Sequence, residues 1–597
     1  MRGYFVSTIR RIGNLFVPTF LRPGAKYSLS LFRADCIAGF TVAVILVPQG
    51  MALALIAGLP AAYGLYAALP GFIASLWGSS RHLSTGPVAI VSFLTFSSLL
   101  PLATPGSIEF ITLAAALALL VGIIQLLMGV FRLGFVMQLI PHSAIAGFIS
   151  AAAAIIVITQ IPTLLGFDIS QHEFIFLNIF EIVISLHTLS PETLVIGATA
   201  LGLLIVFRRL PRTFPSTLVV LGLGILASYF GHLANYGVEL VQSIPSALPT
   251  FAFPAIGATA LLSLLPKAAI IAFVGFVEAH AIGKSVATTT RESINTNQEL
   301  VGQGLANIVG GLFRGYPVSG SFLRTAVNVE AGAKTGIAAV VTTVVTVFVL
   351  LFLAPVLELL PRAILAAIVI ISALSLIDLA SLRNTYTSFR TDGIVAYVTF
   401  AMAFILKPDD AIFIGTLLAL ILFIRHTVWG VQIIEMGIDR KWNILRTVSD
   451  SERVYALKQT LILRPGMSIY YANAEHIANK IRVMAAQRRS EEELNRIVID
   501  FSGINFVDST GAEVLAELMQ DFERSGLSVA TLYLRGVVRQ SLVAIPHFPD
   551  ITILHNIAEM REFSAHTEDG TVHRAATKPD TLRGVTYQLA DETSSNS

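Results

Sequence analysis

Hydrophobic positions dominate the chain from Phe32 to Ile424, where apolar runs of helix length follow one another with short polar breaks. A helix needs roughly 20 mostly apolar residues, within a range of about 17–25, to cross a membrane. The pattern therefore predicts a transmembrane domain over residues 35–428, with fourteen spans, of which the third, tenth and thirteenth are too short or too polar to be ordinary ones. The predicted spans are 36–53, 60–78, 86–100, 109–130, 136–165, 191–208, 215–231, 260–286, 298–313, 321–331, 335–354, 356–377, 391–406 and 409–426.

The pattern changes after Arg425. Residues 438–566 alternate strand-like and helix-like runs with an ordinary density of charge, which predicts a small soluble α/β domain. Residues 567–597 are polar with few large apolar side chains, so we predict a disordered tail. Residues 1–34 carry six basic residues and no acidic one, which favours a basic arm on the membrane surface over a cleaved signal peptide.

Basic residues between the spans predict the orientation of the chain. The connections 101–108, 166–190 and 232–259 contain no Lys or Arg. The connections on the opposite side hold Arg81, Arg132, Arg208, Arg209, Arg212, Arg291, Lys334, Arg383 and Arg390. Because positive residues stay on the cytoplasmic side, we predict a multi-pass protein of the cell (inner) membrane with both termini in the cytoplasm.

Composition excludes several classes of function. Only 13% of the 597 residues are charged, against about 25% in soluble domains, and the net charge of +2 indicates no nucleic-acid partner. The single cysteine, Cys36, excludes a disulfide framework or a cysteine metal cluster. We find no phosphate-binding loop for ATP, no metal-ligand cluster and no nucleophile–base pair. We therefore expect a protein that is not an enzyme and has no cofactor and no metal.

Two segments about 235 residues apart resemble each other. Leu83–Ile90 and Ser319–Ala326 each place Gly, Ser and Thr immediately before a short apolar helix. Half-helices that begin near the membrane midplane direct free N–H groups and a partial positive charge at the centre, and such pairs indicate a transporter's substrate site. Arg324 would add a full positive charge with a fork suited to an oxyanion or carboxylate. The alternative is that these residues are helix caps and close-packing small residues.

These two segments therefore predict an anion site. Its candidate substrate-binding residues are Thr85, Gly86, Pro87, Val88, Ala89, Ser321, Phe322, Leu323, Arg324 and Thr325.

Two more polar residues lie at membrane depth. Glu278 interrupts the apolar run Leu261–Ile282, and a low-dielectric surrounding favours its protonated form, which suits a proton-coupling or cation-coupling site. The alternative is a structural carboxylate paired to Arg324 or Lys284. Gln49 follows the helix-disturbing Pro48 and either donates to a bound anion or makes an interhelical hydrogen bond.

The soluble domain contains one polar cluster, in which Asp508, Ser509 and Thr510 lie between a predicted strand and a predicted helix. We expect them to cap a helix that begins near Gly511 and to contribute to partner recognition. Phosphorylation at a helix N-terminus is the alternative.

Several of these segments together resemble the SulP family of anion transporters, whose members include sulfate permeases, bicarbonate transporters and anion exchangers. The resemblance covers roughly residues 30–566. In the first half it rests on Phe32–Ala43, Val47–Pro60, Gly64–Tyr66, Gly78–Arg81 and Gly86–Pro87. In the second half it rests on Asn297–Leu300, Gly304–Asn307, Arg324–Asn328 and Ala331–Thr335. Val507–Gly511 resembles the signature of the STAS domain that follows the membrane domain in this family.

The resemblance implies a seven-plus-seven inverted repeat with a core and a gate domain, a cytoplasmic STAS domain and a homodimer. It places the anion between the N-termini of the third and tenth helices, beside the first and eighth, and gives the position of Glu278 a role in coupling to protons or sodium. Two positions depart from the family pattern: Leu53 replaces a frequent aromatic residue and Leu323 a frequent serine. Both would make the pocket less polar or differently shaped, which weakens the case for sulfate and leaves bicarbonate and dicarboxylates open as substrates.

The functional prediction is secondary active transport of a small anion by alternating access, as a proton-coupled symporter. The alternatives are an uncoupled anion exchanger or channel and, as a third hypothesis, a sensor whose STAS domain signals. The expected partners are the anion, a coupling proton or sodium ion, membrane lipid, a second copy of the chain and a cytosolic partner of the STAS domain.

Overall fold

The computed structural model describes residues 27–135, 141–170, 172, 174–207, 209, 216–241, 247–406, 408–450 and 453–565. The predicted disordered tail lies outside these residues, as does the predicted basic arm except for residues 27–34. The chain packs into two compact units, one that ends at Ala419 and one that begins at Leu420.

The first unit is helical, and each of the fourteen predicted spans coincides with a helix or a pair of helices. The first half contains α1 (Leu29–Ile56), α2 (Ala62–Ala68), α3 (Gly71–Trp77), strand β1 (Thr85–Gly86), α4 (Ala89–Leu99), α5 (Ile108–Val130), α6 (His142–Leu165), α7 (Ile175–Ser185), α8 (Pro191–Phe207) and α9 (Ser216–Gly231).

The second half repeats this order of long helices around one short strand. It contains α10 (Ala258–Thr290), α11 (Thr296–Leu312), strand β2 (Ser319–Gly320), α12 (Phe322–Glu330), α13 (Ile337–Phe348), a π-helical turn (Val349–Leu353), α14 (Ala354–Leu357), α15 (Arg362–Leu374), α16 (Leu379–Ser388), α17 (Arg390–Ile405) and α18 (Pro408–Trp429). The last of these helices, α18, continues past the boundary at Ala419 into the second unit.

Length and hydropathy identify the membrane-crossing part of the described chain. Seven of its helices are long and apolar enough to cross a membrane, or eight when Ile175–Thr188 and Pro191–Phe207 are taken as one span bent by 119°. Shorter apolar helices, α4 among them, complete the pattern. The chain is thus a multi-pass membrane protein in which short helices occur where the sequence predicts the third and tenth spans.

Capping side chains fix where several helices begin. Ser28 precedes α1 and its side chain accepts a hydrogen bond from the backbone N–H of Leu31. Ser107 caps α5 in the same way, and Asn295 caps α11 by accepting from the N–H groups of Asn297 and Gln298. Each cap satisfies backbone donors that have no partner inside the helix. The polar breaks between apolar runs therefore set the helix starts.

The prediction that residues 166–190 form a loop is wrong, because this segment contains helix α7. Its buried residues, Ile175, Asn178 and Ile182, share one helical face, whereas Phe176 and Phe180 are exposed. An eleven-residue helix is too short to appear as a span by hydropathy. Helix α16 likewise occupies a segment that the sequence leaves between two spans.

Asp35 ties the two halves of the first unit together. Its Oδ1 accepts from the backbone N–H groups of Lys334 at 2.7 Å and Thr335 at 3.0 Å, and its Oδ2 accepts from the hydroxyl of Thr335 at 2.6 Å. Asp35 is fully buried. A buried carboxylate is stable only when hydrogen bonds replace its water, so these three donors explain how it is tolerated.

The second unit is an α/β domain built on a mixed seven-stranded sheet. The elements are β3 (Ile433–Asp439), β4 (Leu445–Thr447), β5 (Val454–Tyr455), β6 (Thr460–Pro465), α19 (Ala474–Glu491), β7 (Arg496–Asp500), α20 (Ser509–Arg524), β8 (Ser528–Leu532), α21 (Gly536–Val543), β9 (Thr552–Leu554) and α22 (Ile557–Ala565). The strand order in the sheet is β4-β3-β6-β7-β8-β9, with β5 paired to β3. Strands β6 to β9 run parallel, and β3 is antiparallel to its neighbours. The first strand of this domain, β3, begins at Ile433, before the predicted domain start at 438.

Candidate anion-binding site

The two half-helices begin side by side because the strands that precede them pair with each other. Strands β1 and β2 are antiparallel, with Thr85 opposite Gly320 and Gly86 opposite Ser319. Two further hydrogen bonds extend the pairing: the Ser321 N–H donates to the Ser84 carbonyl at 2.9 Å, and the Ser84 N–H donates to the hydroxyl of Thr325 at 3.0 Å. The predicted substrate-binding segments of the two halves are thus one structure.

The N-terminus of α4 is open to a ligand. Val88 occupies the capping position with extended backbone and, within the described part of the chain, makes no side-chain cap. The first N–H groups of a helix have no partner inside it and carry partial positive charge. The N-terminus of α4 therefore has the donors that an anion requires.

Arg324 supplies the charge of the site. It is fully buried, and its Nη1 donates to the Pro87 carbonyl at 2.9 Å and to the Gln49 Oε1 at 3.0 Å. Its Nε and Nη2 are also buried and have no hydrogen-bond partner among the described residues. One edge of the guanidinium is thus held by the protein, while the other edge keeps its donors. A guanidinium edge of this kind matches an oxyanion or carboxylate in two-point contact.

Gly86 makes room for that edge. A Cβ added at this position would lie 3.2 Å from Nη2 of Arg324. This is tighter than most real side-chain contacts, so an alanine here would displace the guanidinium or its ligand. The glycine that the sequence singles out is therefore a requirement of close approach.

Glu278 lies on α10, next to the strand pair. The hydroxyl of Ser319 in β2 donates to the Gly275 carbonyl of α10 at 2.5 Å, one turn before Glu278. Glu278 Oε2 is buried without a hydrogen-bond partner in the described structure.

The alternative of a carboxylate paired to Arg324 or Lys284 is not what the structure shows. No ion pair within 4 Å joins Glu278 to either residue in the described ranges, and Lys284 is exposed. His280, the neighbouring titratable residue, stacks on the ring of Phe276 with centroids 5.7 Å apart. Glu278 is thus the acidic side chain of this region that keeps an unused oxygen.

The remaining predicted site residues divide by burial. Leu53 is in the core at 2% exposure, whereas Phe322 and Leu323 at the start of α12 are 63% and 51% exposed. Gln49 is half-buried, and its carbonyl oxygen makes the interhelical hydrogen bond to Arg324. The same side chain keeps an amide group with two N–H donors. Thr85, Gly86, Pro87, Val88, Ser321 and Thr325 are buried around the strand pair, with Ala89 half-buried.

Sequence reasoning missed a stripe of polar residues on α11. Glu299, Gln303 and Asn307 are spaced by four residues, which places them on one helical face. One of them bonds to the strand pair itself: the Nε2 of Gln303 donates to the Thr85 hydroxyl at 2.8 Å. The available signal was this periodicity of polar residues within predicted span 298–313.

The polar cluster of the second unit caps a helix. Asp508 Oδ1 accepts from the Gly511 N–H at 2.7 Å, and its Oδ2 accepts from the Tyr471 N–H at 2.8 Å. Helix α20 begins at Ser509, slightly before the predicted start near Gly511. Ser509 and Thr510 are exposed in its first turn. Their phosphorylation stays a prediction. Among the described residues, no group of three His, Cys, Asp or Glu side chains is arranged to hold a metal ion.

Comparison with known proteins gives matches for both units. The model of the sulfate permease family matches residues 32–399, and the model of the STAS domain matches residues 453–560. Sulfate transporter 4.1, chloroplastic, of Arabidopsis thaliana is 33% identical over 517 residues, which cover 84% of this chain and 75% of that protein.

Two solved structures share the fold. The murine Solute Carrier 26 family member A9 anion transporter, in the inward-facing state, aligns with a TM-score of 0.84 at 23% identity over 92% of this chain and 93% of its own. The transmembrane domain of the cyanobacterial bicarbonate transporter BicA aligns with a TM-score of 0.57 at 25% identity over 66% of this chain and 98% of its own.

Proposed function

From the premise that this chain belongs to the sulfate permease family, we propose that it moves a small anion across the membrane by alternating access, in symport with protons. The coarser part of this statement follows from membership: the chain is an anion transporter with a C-terminal STAS domain, and not an enzyme. The coupling, the choice of anion and the residues that do the work are the proposal.

One observation carries the anion site: Arg324 is fully buried, and its Nε and Nη2 lack a partner among the described residues. Buried donors of a charged group that find no partner are costly, and at membrane depth charged residues mark substrate pathways. A bound anion would use both free groups and the uncapped N–H groups of α4. We infer that the anion sits between Arg324 and the start of α4, beside Gln49.

Sulfate is the anion that we propose first. A relative that covers most of this chain is named a sulfate transporter, and a tetrahedral oxyanion suits a guanidinium edge beside a helix N-terminus. Bicarbonate is the second candidate, since a solved structure with the same transmembrane fold is described as a bicarbonate transporter. A dicarboxylate is the third, because Leu53 and Leu323 place apolar side chains where the family frequently has an aromatic residue and a serine.

Glu278 supports the coupling part of the proposal. Its Oε2 is buried without a hydrogen-bond partner in the part of the chain that the structure describes, as expected of a carboxyl group that binds a proton in one conformation and releases it in another. We propose an electrostatic route for the coupling: a bound anion neutralises Arg324, which changes the balance between the charged and protonated forms of Glu278. A sodium ion is the alternative coupling ion.

The surroundings of the site complete the proposal. We propose a homodimer in the cell (inner) membrane with both termini and the STAS domain in the cytoplasm, where the exposed first turn of α20 would meet a cytosolic partner. The absence of Lys and Arg from connections 101–108, 166–190 and 232–259 supports this orientation.

The experiment that tests the proposal measures uptake of labelled sulfate, bicarbonate and fumarate into liposomes that hold the purified protein. Each anion is tested with an inward proton gradient, an inward sodium gradient and no gradient, and protein-free liposomes give the background. We expect sulfate to accumulate above its equilibrium level only with the proton gradient. Uptake that ignores both gradients would replace symport with exchange or channel conduction, and no uptake of any anion would overturn the proposed function.

A further inference from the structure

Helix α11 carries a stripe of three buried polar side chains that form hydrogen bonds to the chain around β1 and β2. Glu299, Gln303 and Asn307 are each at most 2% exposed. Burial of polar groups inside a membrane protein is costly unless each finds hydrogen-bond partners. Their partners are therefore informative, and nearly all of them are on the chain around β1 and β2.

The first two residues of the stripe hold the chain at β1. Glu299 Oε2 accepts from the backbone N–H groups of Ser79 at 2.9 Å and Ser80 at 3.0 Å. One turn further, Gln303 Nε2 donates to the hydroxyl of Thr85, the first residue of β1. The segment that leads into α4 is thus fixed to α11 at two places.

The third residue holds the chain at β2. Asn307 Oδ1 accepts from the Val318 N–H at 2.8 Å, and Asn307 Nδ2 donates to the Val318 carbonyl at 3.1 Å. Nδ2 also donates to Gln125 Oε1 at 3.0 Å, and Gln125 donates in turn to the Ala272 carbonyl of α10. The side-chain amide of Asn307 thus pairs with both polar backbone groups of the residue before β2, as a neighbouring strand would.

The strand pair is too small to fix its own geometry. Each strand has two residues, and even a longer two-stranded ribbon is marginally stable in water. Helix α11 is rigid, and Glu299 and Asn307 are separated by roughly 12 Å along its axis. The helix therefore sets the position of β1 relative to β2, and with it the gap between the N-termini of α4 and α12.

We propose that Gln303 and Asn307 are positioning residues that determine which anions fit, by fixing the width of the gap between α4 and α12. This inference rests on the proposed function, because it assigns the gap to the transported anion. Neither residue touches the anion. Both act through backbone: Gln303 through Thr85 in β1, and Asn307 through Val318 before β2.

The test uses Asn307→Leu, which keeps the approximate volume and removes both bonds to Val318, and Asn307→Asp, which keeps the acceptor but turns an oxygen towards the Val318 carbonyl. Gln303→Met removes the hydrogen bond to Thr85, together with the longer one to Glu299 at 3.5 Å. The matched control is Asn297→Leu: Asn297 is on the same helix and also accepts from a backbone N–H, but from that of Gly134, away from the strands.

Initial uptake of sulfate, selenate and molybdate, a series of tetrahedral oxyanions of increasing size, is measured in liposomes at one fixed proton gradient, per amount of folded protein. For both Asn307 variants we expect the KM for sulfate to rise about tenfold, as the loss of buried hydrogen bonds would give. The KM for molybdate should change less, so that the preference for the smaller anion narrows while Vmax changes little. Gln303→Met should shift the ratio of the KM for molybdate to the KM for sulfate in the same direction and by less, and Asn297→Leu should leave this ratio unchanged.

A purely structural role would lower the yield or the Vmax of the Asn307 variants while leaving the ratio of KM values as in the wild type, and that result overturns the inference. If the Asn307 variants do not fold, an unchanged ratio in Gln303→Met overturns it instead. Where the wild type prefers carboxylates, the same ratio is measured with malonate and fumarate. Failure of the wild type to move any anion overturns the proposed function, which is a separate result.

Discussion

The half-helices α4 and α12 have the same backbone arrangement and bring different chemistry to the site. Both follow a two-residue strand, and the two strands pair with each other, so the helices begin side by side. Helix α4 has no side-chain cap among the described residues and no charged residue in its own first turn, so the charge beside it comes from Arg324. Helix α12 is capped by Ser321, whose hydroxyl accepts from the Arg324 N–H at 3.5 Å, and it carries the buried guanidinium. One half supplies free backbone donors, and the other supplies fixed charge.

This difference shows how a symmetric fold makes an asymmetric site. Arg324 belongs to the second half, yet its Nη1 is held by Pro87 and Gln49 of the first half. Neither half contains the complete set of donors. The repeat thus provides the geometry, and departures from the repeat provide the charge.

The largest effect is expected from Arg324, the residue by which α12 differs most from α4. Arg324→Ala removes charge-assisted hydrogen bonds worth about 1.5–3 kcal/mol, so the Kd for sulfate should rise roughly 10- to 150-fold. Arg324→Lys should be intermediate, because it keeps the charge and loses the fork. Isothermal titration of the detergent-purified protein measures this. Arg291→Ala, in the connection between α10 and α11, is the control, and sulfate binding by Arg324→Ala at wild-type affinity would remove the residue from the site.

The next effect separates the anion from the coupling proton. Glu278→Gln keeps the shape of the side chain and cannot release a proton, so sulfate accumulation driven by a proton gradient should be abolished, a loss of at least about tenfold. Counterflow of labelled against unlabelled sulfate should persist. Both are measured in the same liposomes. Equal proton-driven accumulation by this variant and the wild type would make Glu278 a structural residue.

Two glycines of the strand pair allow a direct comparison of the halves. Gly86→Ala would place a Cβ 3.2 Å from Arg324 Nη2, so we expect a weaker anion affinity, about threefold to tenfold, with little change in thermal stability. Gly320→Ala would place its Cβ 2.8 Å from Leu83 Cδ1 and 3.1 Å from the Cα of Ala279, so it should cost about 1–3 kcal/mol of stability. Titration calorimetry and fluorescence-detected melting give the two quantities, and the same outcome for both variants would contradict this division.

The smallest effect concerns the ends of the half-helices that point away from the site. At the end of α4, the Ser98 carbonyl accepts a hydrogen bond from Lys267 Nζ at 2.6 Å. Beyond α12, the Ala333 carbonyl is 3.1 Å from His82 Nε2, and His82 Nδ1 is 3.4 Å from Glu292 Oε2 in the connection between α10 and α11. Burial alone would raise the pKa of Glu292, but the nearby imidazole of His82 and the charge of Arg81 outweigh it and hold this pKa below its usual 4.5.

A carboxyl group whose pKa is lower in the folded than in the unfolded state stabilises the folded state at pH values above its usual pKa. This contribution is lost as the pH falls below about 4.5. Glu292→Gln should therefore lower the melting temperature slightly at pH 7, by no more than about 1 kcal/mol in stability, and should differ less from the wild type at pH 4. Melting curves at several pH values measure this. A constant difference between the two proteins across that range would show that the ion pair does not contribute.

The sequence predicts the helices and the charged residues of the site well, for physical reasons. Apolar runs of span length have few alternatives to a membrane helix, and Arg324 and Glu278 stand out because charge is rare in such runs. The strand pair could not be predicted, because each strand has two residues and its partner lies in the other half. Helix α7 was missed because an amphipathic helix of eleven residues has no hydropathy signal. The bonds of Asn307 to Val318 depend on how α11 packs, which no local pattern of residues specifies.

The pairing of β1 with β2 determines when the anion site can form during synthesis of the chain. Thr325, which bonds to Ser84, is 241 positions further along the chain. At about 5–20 residues per second, the ribosome needs roughly 10–50 s to make the second strand after the first. During that interval the polar start of α4 is already in or near the bilayer without its partner. The first half must therefore adopt a provisional arrangement, and the anion site can form only after β2 and α12 have been synthesised.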